Sequence, residues 1–154
     1  MTVELTPKGT HGVEMPRLPR PFMKGIQGMM IWMARRSNSR LVVLTTIGAK
    51  TGRPHTVALG RFPDGENAFL VVASNAGSAR HPAWYINMAK NPDQVWAEIG
   101  NRKVKVHPQA LAGAEREAAF QRVIAASPGY AGYQEKTDRE IPVIRLVPEE
   151  GKVQ

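Results

Sequence analysis

A chain of 154 residues, 42% hydrophobic and 22% charged, has the makings of one soluble globular domain with its own core. It contains no cysteine, which excludes disulfides, thiolate metal sites and cysteine nucleophiles. Its net charge is +8, and residues 1–60 carry nine Lys/Arg against two Glu. A basic first third suits an anionic partner (nucleic acid, a membrane surface or a phosphorylated small molecule) or a merely solvated basic surface. No secretory signal is recognisable, so a cytoplasmic location is expected.

Residues 1–21 hold four prolines, the basic Arg17 and Arg20, and no periodicity, and read as a mobile or loosely docked arm. The next stretch, FMKGIQGMMIWMARR, sets Phe22, Ile26, Met29, Met30 and Met33 on one helical face, with Lys24, Arg35 and Arg36 at its ends. Residues 22–36 are too few to span a bilayer, which needs about 20. Two readings stand: a helix packed on its own domain or capping a ligand site, and a helix resting on a membrane surface. Residues 1–36 are therefore expected to form an arm and amphipathic helix ahead of a domain at 37–154.

From Leu41 the pattern turns to β. LVVLTTI reads as a buried strand and HTVALGRF as a second, with a turn between them. Pro63 to Gly65 marks a hairpin leading into the apolar run AFLVVAS. A Gly/Ser/Ala loop then opens a helix at HPAWYINMAKN, with Pro82 suited to its first turn. QVWAEI and RKVKVHPQAL follow as strands, the second alternating Val104 and Val106 with Lys103, Lys105 and His107. GAEREAAFQRVIAA is the clearest helix, with Ala118, Phe120, Val123 and Ile124 as its apolar side. A short segment, GYAGYQEKTDRE, precedes a last strand, PVIRLV. About six strands and three or four helices in meander order predict an α+β fold, mainly β: a small antiparallel barrel with helices at its ends.

Several standard machines are absent. There is no G-x-x-x-x-G-K-[ST], no G-x-G-x-x-G and no G-x-S-x-G, and His11, His55, His81 and His107 lack metal-ligand spacing. The turn in TTIGAKTGRPHT has anion-binding chemistry instead. Gly48 and Gly52 permit positive φ and close backbone approach, Lys50 and Arg53 can share a mouth, and Thr51 offers a hydroxyl. An ordinary exposed turn has the same composition. In HPAWYINMAKNP, Trp84 and Tyr85 lie about 100° apart on a helix, so one can be buried while the other faces a pocket. Asn87 can share the face of Trp84. Tyr130 and Tyr133, three apart, can pack on each other or on a planar ligand.

TTIGAKTGRPHT, VVASNAGSARHPAWYINMAKNP and PGYAGYQEKTDREIPV, in this order, resemble the deazaflavin-dependent nitroreductase family, the A branch of the flavin/deazaflavin oxidoreductases. The similarity runs from about Arg40 to Pro148. It implies a split antiparallel β-barrel that binds the hydride carrier F420 through a block comprising Ala49, Lys50, Thr51 and Arg53, which grips the phosphate and acidic tail. His55, Thr56, Val57, Ala58, Leu59 and Gly60 are implied to present backbone to the cofactor. Val72, Ala73, Ser74 and Asn75 are implied to lie against its ring, and Ala83, Trp84, Tyr85 and Asn87 to wall it. Tyr130 and Tyr133 match the aromatic positions of the substrate side, and Ser74 joins them as a proton-donor candidate. This chain has Asn75 where many relatives carry lysine, and Ser127 where the nitroreductase branch has a third tyrosine, which alters a tail contact and the substrate wall.

The resemblance implies hydride transfer from F420H2 to a lipophilic small molecule: a quinone, an α,β-unsaturated carbonyl compound or a nitroaromatic. The alternatives are a non-catalytic F420 carrier and an FMN-binding split barrel. A nucleic-acid-binding barrel using Lys103 and Lys105 fits worse, because Trp96 and Phe120 read as core positions. Peripheral membrane contact through residues 22–36 and the monomeric or homodimeric state stay open.

Overall fold

The structure, a computed structural model, describes residues 3, 5–14, 19–36, 40–100 and 102–149. Arg17 of the arm lies outside the described residues, and Arg20 opens the first helix. Helix α1 (Arg20–Arg36) is followed by β1 (Leu41–Ile47), β2 (Pro54–Gly60), β3 (Phe62–Asp64) and β4 (Ala68–Val72). Then come α2 (Ala83–Lys90), β5 (Val95–Ile99), β6 (Arg102–Ala110), α3 (Gly113–Ala126), α4 (Gly129–Glu135) and β7 (Val143–Pro148). All strands pair antiparallel in one curled sheet of order β2-β1-β5-β6-β7-β4-β3. This is the expected split barrel, with seven strands rather than six because HTVALGRF breaks at Arg61 into β2 and β3.

Strand periodicity assigns each face to a core. In β1, Val42 and Leu44 point into the barrel while Val43 packs outward with Ala58 against Ala34 of α1. In β4, Phe69 and Val71 point inward, and Leu70 and Val72 pack outward against Ala119, Phe120 and Val123 of α3. A strand covered on both faces has no wet side, which is why AFLVV reads as an unbroken apolar run. β6 keeps one wet face, with Val104 and Val106 buried and Lys105 and His107 only half-buried.

Two expectations are corrected, and of the two readings of the arm the docked one holds for its described residues. On α3 the buried alanine is Ala119, with Arg116 beside it, and Ala118 faces solvent. On α1 the sheet takes Met30, Ile31 and Ala34 and leaves Phe22, Met29 and Met33 exposed, so the apolar face of the sequence divides between two sides. Arg35 ties the end of this helix to Glu98 of β5 at 3.0 Å. The arm is docked: Val3 joins the barrel core, and Gly9 and Val13 donate backbone hydrogen bonds to Ala79 and Gly77 at 2.9 and 3.0 Å.

Asp138 anchors that strap, accepting from Thr10 N at 2.8 Å, from the Thr10 hydroxyl and from His11 N at 3.1 Å. These bonds, the Thr10 hydroxyl first, hold its carboxyl at about 2. A depressed carboxylate contributes above the unfolded value of about 3.9 and loses its contribution as pH falls toward 2. The protection factors of the Gly9 and Val13 amides, taken against the intrinsic exchange rate at each pH, are therefore expected to hold above pH 4 and to fall on acidification toward pH 2, and Asp138→Asn to lower them at neutral pH. An Asp138→Asn protein with unchanged exchange would place the anchor elsewhere.

Candidate functional site

The sheet curls but does not close. β2 and β4 approach each other without pairing, and the gap opens into a cavity of about 870 Å³, within the roughly 300–1,000 Å³ usual for small-molecule sites. One wall is Thr56–Gly60 of β2, an edge strand whose outward N–H and C=O groups no neighbouring strand takes. The facing wall is Val72 at the end of β4, then Ser74, Asn75 and Ala76. Helix α2 adds Ala83, Trp84, Ile86 and Asn87, α1 adds Met23 and Gln27, and α4 adds Tyr130.

The β1–β2 turn forms the third side. Gly52 is left-handed at φ 69°, whereas Gly48 is not: it is needed for close approach. A Cβ there would fall 2.4 Å from Thr51 Oγ1 and 2.9 Å from His55 Nε2. Gly48 N donates to Arg53 O at 2.8 Å, and Asn87 Oδ1 accepts from Ala49 N at 3.0 Å, which pins the turn to α2. The turn directs Lys50 and Thr51 into the cavity lining and leaves Arg53 out of it.

Trp84 and Tyr85 divide as their helical spacing requires. Trp84 lines the cavity, and Tyr85 is fully buried, where burial pushes its hydroxyl above the ordinary phenol range. Ala73 is likewise buried in the core rather than exposed to the cavity. Tyr130 lies edge-on to Phe62 and Tyr133, with centroids 5.5 and 5.4 Å away. Burial first, and then Tyr133, raise the Tyr130 hydroxyl. Tyr133 is outside the lining and supports Tyr130 from behind.

His81 lines the cavity with a defined tautomer. Its Nε2 lies 2.7 Å from the Thr6 carbonyl, which only accepts, so the proton sits on Nε2. Nδ1 accepts from Arg139 Nη1 at 3.0 Å. Burial, aided by the Arg139 charge and opposed by the Thr6 carbonyl, pulls His81 below the ordinary imidazole value.

Most residues singled out in the sequence thus meet in one place. Missed were Met23, Gln27, Thr46, Ala76, Arg80, His81, Pro82 and Ile86, whereas Gly48 enters with the turn it belongs to. Arg80 and His81 carried a signal, since they stand inside the VVASNAGSARHPAWYINMAKNP block. Met23 and Gln27 carried none, because which side of α1 meets the cavity is decided by packing. The lining includes Lys50 and Arg80 and no Asp or Glu, so its fixed charge is positive. Among the described residues, no group of three His, Cys, Asp or Glu could hold a metal ion.

Residues 24–148 match the family model described as F420H(2)-dependent quinone reductase. An F420H(2)-dependent quinone reductase of Mycobacterium tuberculosis (strain ATCC 25618 / H37Rv) is 33% identical over 138 residues, covering 88% of this chain and 91% of that protein. The solved structure of an F420-H2 dependent reductase superposes with a TM-score of 0.62 at 38% identity, over 70% of this chain and 93% of the other. A second solved chain, described as a domain-swapped dimer, gives a TM-score of 0.64 at 31% identity over 82% and 98%.

Asn87 is the hinge of this geometry, since its amide also reaches Thr46 Oγ1 at 3.5 Å. Asn87→Ala leaves the half-buried Ala49 N–H unpaired, and its expected cost is about 1–2 kcal/mol in urea unfolding. An unchanged unfolding midpoint would mean that the turn is held by its own backbone bonds.

Proposed function

The chain belongs to the F420H(2)-dependent quinone reductase family, and we propose that it carries hydride from F420H2 to a quinone-type lipophilic acceptor. The observation that carries the reading is the lining: cations, edge-strand backbone and aromatic rings converge there without one carboxylate. An acidic, phosphate-bearing cofactor meets no like charge in such a cavity, and a planar ring finds both amide groups and flat walls. Bound F420 supplies the two-electron hydride chemistry, which belongs to the cofactor, and the chain needs neither a triad nor a metal for it.

The chain's own residues then bind, orient and exclude water. Lys50, Thr51 and Arg80 would hold phosphate and carboxylate oxygens by charge-assisted hydrogen bonds. The backbone of Thr56–Gly60 and the Ser74–Ala76 wall would fix the ring, with Trp84 closing one side. The Tyr130 hydroxyl, a phenol that burial moves further from ionisation, can donate to an oxygen of the acceptor. Tyr133 sets the Tyr130 ring edge-on and does not itself reach the acceptor.

The exposed Phe22, Met29 and Trp32 beside Lys24 and Arg36 support peripheral contact of α1 with a lipid surface, where lipophilic quinones partition. No described helix is long and apolar enough to cross a membrane. The domain-swapped relative supports a homodimer as the assembly to look for.

The test is titration with oxidised F420 and with FMN, followed by F420H2 consumption with menadione. F420 should bind and turn over. Binding of FMN alone would overturn the proposal, and binding of F420 without turnover on any acceptor would favour a carrier. Lys50→Ala with Arg80→Ala should raise the F420 dissociation constant by about tenfold or more, with a shallower salt dependence, whereas Arg53→Ala should change it by less than about twofold. Tyr130→Phe should lower turnover on menadione by about tenfold, the worth of one lost hydrogen bond, with F420 affinity unaltered. Full turnover in that variant would remove Tyr130 from the chemistry.

A further inference from the structure

Arg139 lies just before β7, 1% exposed, and takes no part in lining the cavity. The hydrogen bonds of its guanidinium all reach one loop, the cavity wall between β4 and α2. Nη1 donates to Ala73 O at 2.9 Å and to His81 Nδ1 at 3.0 Å, Nη2 to Ser74 O at 2.7 Å, and Nε to Ser78 O at 3.0 Å. Among the described residues no carboxylate comes within 4 Å of this guanidinium. Main-chain carbonyls and an imidazole nitrogen take the place of a counterion.

What the fork spans is strained. Asn75 and Ala76 are both left-handed, at φ 45° and 54°, and Gly77 follows at 83°. Side-chain-bearing residues adopt that conformation only where surrounding structure enforces it. The loop is enforced from two sides. Arg139 grips the carbonyls at its ends from the inside, and the N-terminal strap runs along its outside through the Gly9–Ala79 and Val13–Gly77 bonds. Gly12 sits so close there that a Cβ would meet Gly77 O and Ala79 N at 2.5 Å. The two residues before Arg139 hold the strap itself: Thr137 donates to His11 O at 2.7 Å, and Asp138 accepts from Thr10 and His11. Three consecutive residues thus clasp strap and wall together.

We propose that Arg139 is a positioning residue for the reaction: it holds the Ser74–His81 wall in the shape the cofactor requires, with Thr137 and Asp138 locking the strap over it. This rests on the F420 reading above. Arg116 is the control: it is comparably buried, donates to Ile141 O, Gln134 and Glu117 rather than to the cavity wall, and meets Arg139 only through Gln134, whose Nε2 donates to the Arg139 carbonyl and leaves the guanidinium alone.

The experiment compares Arg139→Met, Arg139→Lys and Arg116→Met in the full chain, by amide exchange without ligand and by fluorescence titration with oxidised F420. Arg139→Met should speed exchange at the Gly77 and Ser78 amides by about tenfold or more and raise the F420 dissociation constant about as much. Arg139→Lys, a point donor in place of a fork, should show the same changes at about threefold. Arg116→Met should alter both by less than about twofold, whatever it does to the thermal midpoint, because it leaves the four guanidinium bonds of Arg139 to the wall in place. Unchanged exchange in both Arg139 variants overturns the proposal, as does weakened binding shared equally by Arg116→Met. If Arg139→Met does not fold, Arg139→Lys decides on the same two readouts. A wild-type chain that fails to bind F420 overturns the cofactor reading instead, and the exchange comparison still decides whether Arg139 holds the wall.

Discussion

An antiparallel sheet that curls without closing keeps two edges, and the main-chain groups on those edges must face water, a covering element or a ligand. Here β3 ends one side and β2 the other, and β2 stands opposite β4 without bonding to it. The cavity is that missing pairing. Its walls are accordingly made of backbone as much as of side chains, and its width is set by the helices wedged around it. α2 braces the turn through Asn87, α3 backs β4, and α1 covers the outer face of β1 and β2. A closed barrel of the same residues would have a core in that place.

Charge follows from the same arrangement. The acids near basic partners are engaged elsewhere. Asp64 sits between Arg145 and Arg122, and although burial works against it, those hydrogen bonds keep its carboxyl below the ordinary value. Glu98 holds Arg35, Glu115 reaches Arg145, Glu117 takes Arg116, and Asp138 takes the strap. The cavity is left with Lys50 and Arg80 and no compensating carboxylate. The turn presents one of those two cations and the β4–α2 wall the other, so the charge of the cavity is set by how the backbone holds these two segments.

How much of this is legible in the sequence depends on whether the signal is local. Strand β4 declares itself by an unbroken apolar run, α3 by periodicity over Gly113–Ala126, and the Trp84–Tyr85 division by helical spacing alone. The resemblance of the motif blocks carries Lys50, Ser74, Asn87 and Tyr130 to one cavity. Long-range packing is what fails to show. Gly48 and Gly52 look interchangeable in a turn, yet one supplies φ and the other space. Lys50 and Arg53 look paired, yet the backbone sends only the first inward. A proline-rich arm looks loose because the carbonyls that fasten Gly9 and Val13 lie more than sixty positions away.

His81 shows how these layers bear on one another. Its two ring nitrogens are both committed, Nε2–H to the strap at Thr6 and Nδ1 to Arg139, so a second proton would have to enter on Nδ1 against a guanidinium. Glu140 and Tyr85, the other ionisable groups nearby, do not reverse this: Glu140 acts on Tyr85, and burial keeps Tyr85 neutral at physiological pH. The imidazole consequently stays uncharged through neutrality, although it lines a cavity suited to anions. Its part is mechanical, linking strap to wall. The positive charge of the lining is carried by Lys50 and Arg80. Arg80 rides on the wall that the strap and Arg139 hold, so the placing of that charge depends on the same clasp that His81 completes.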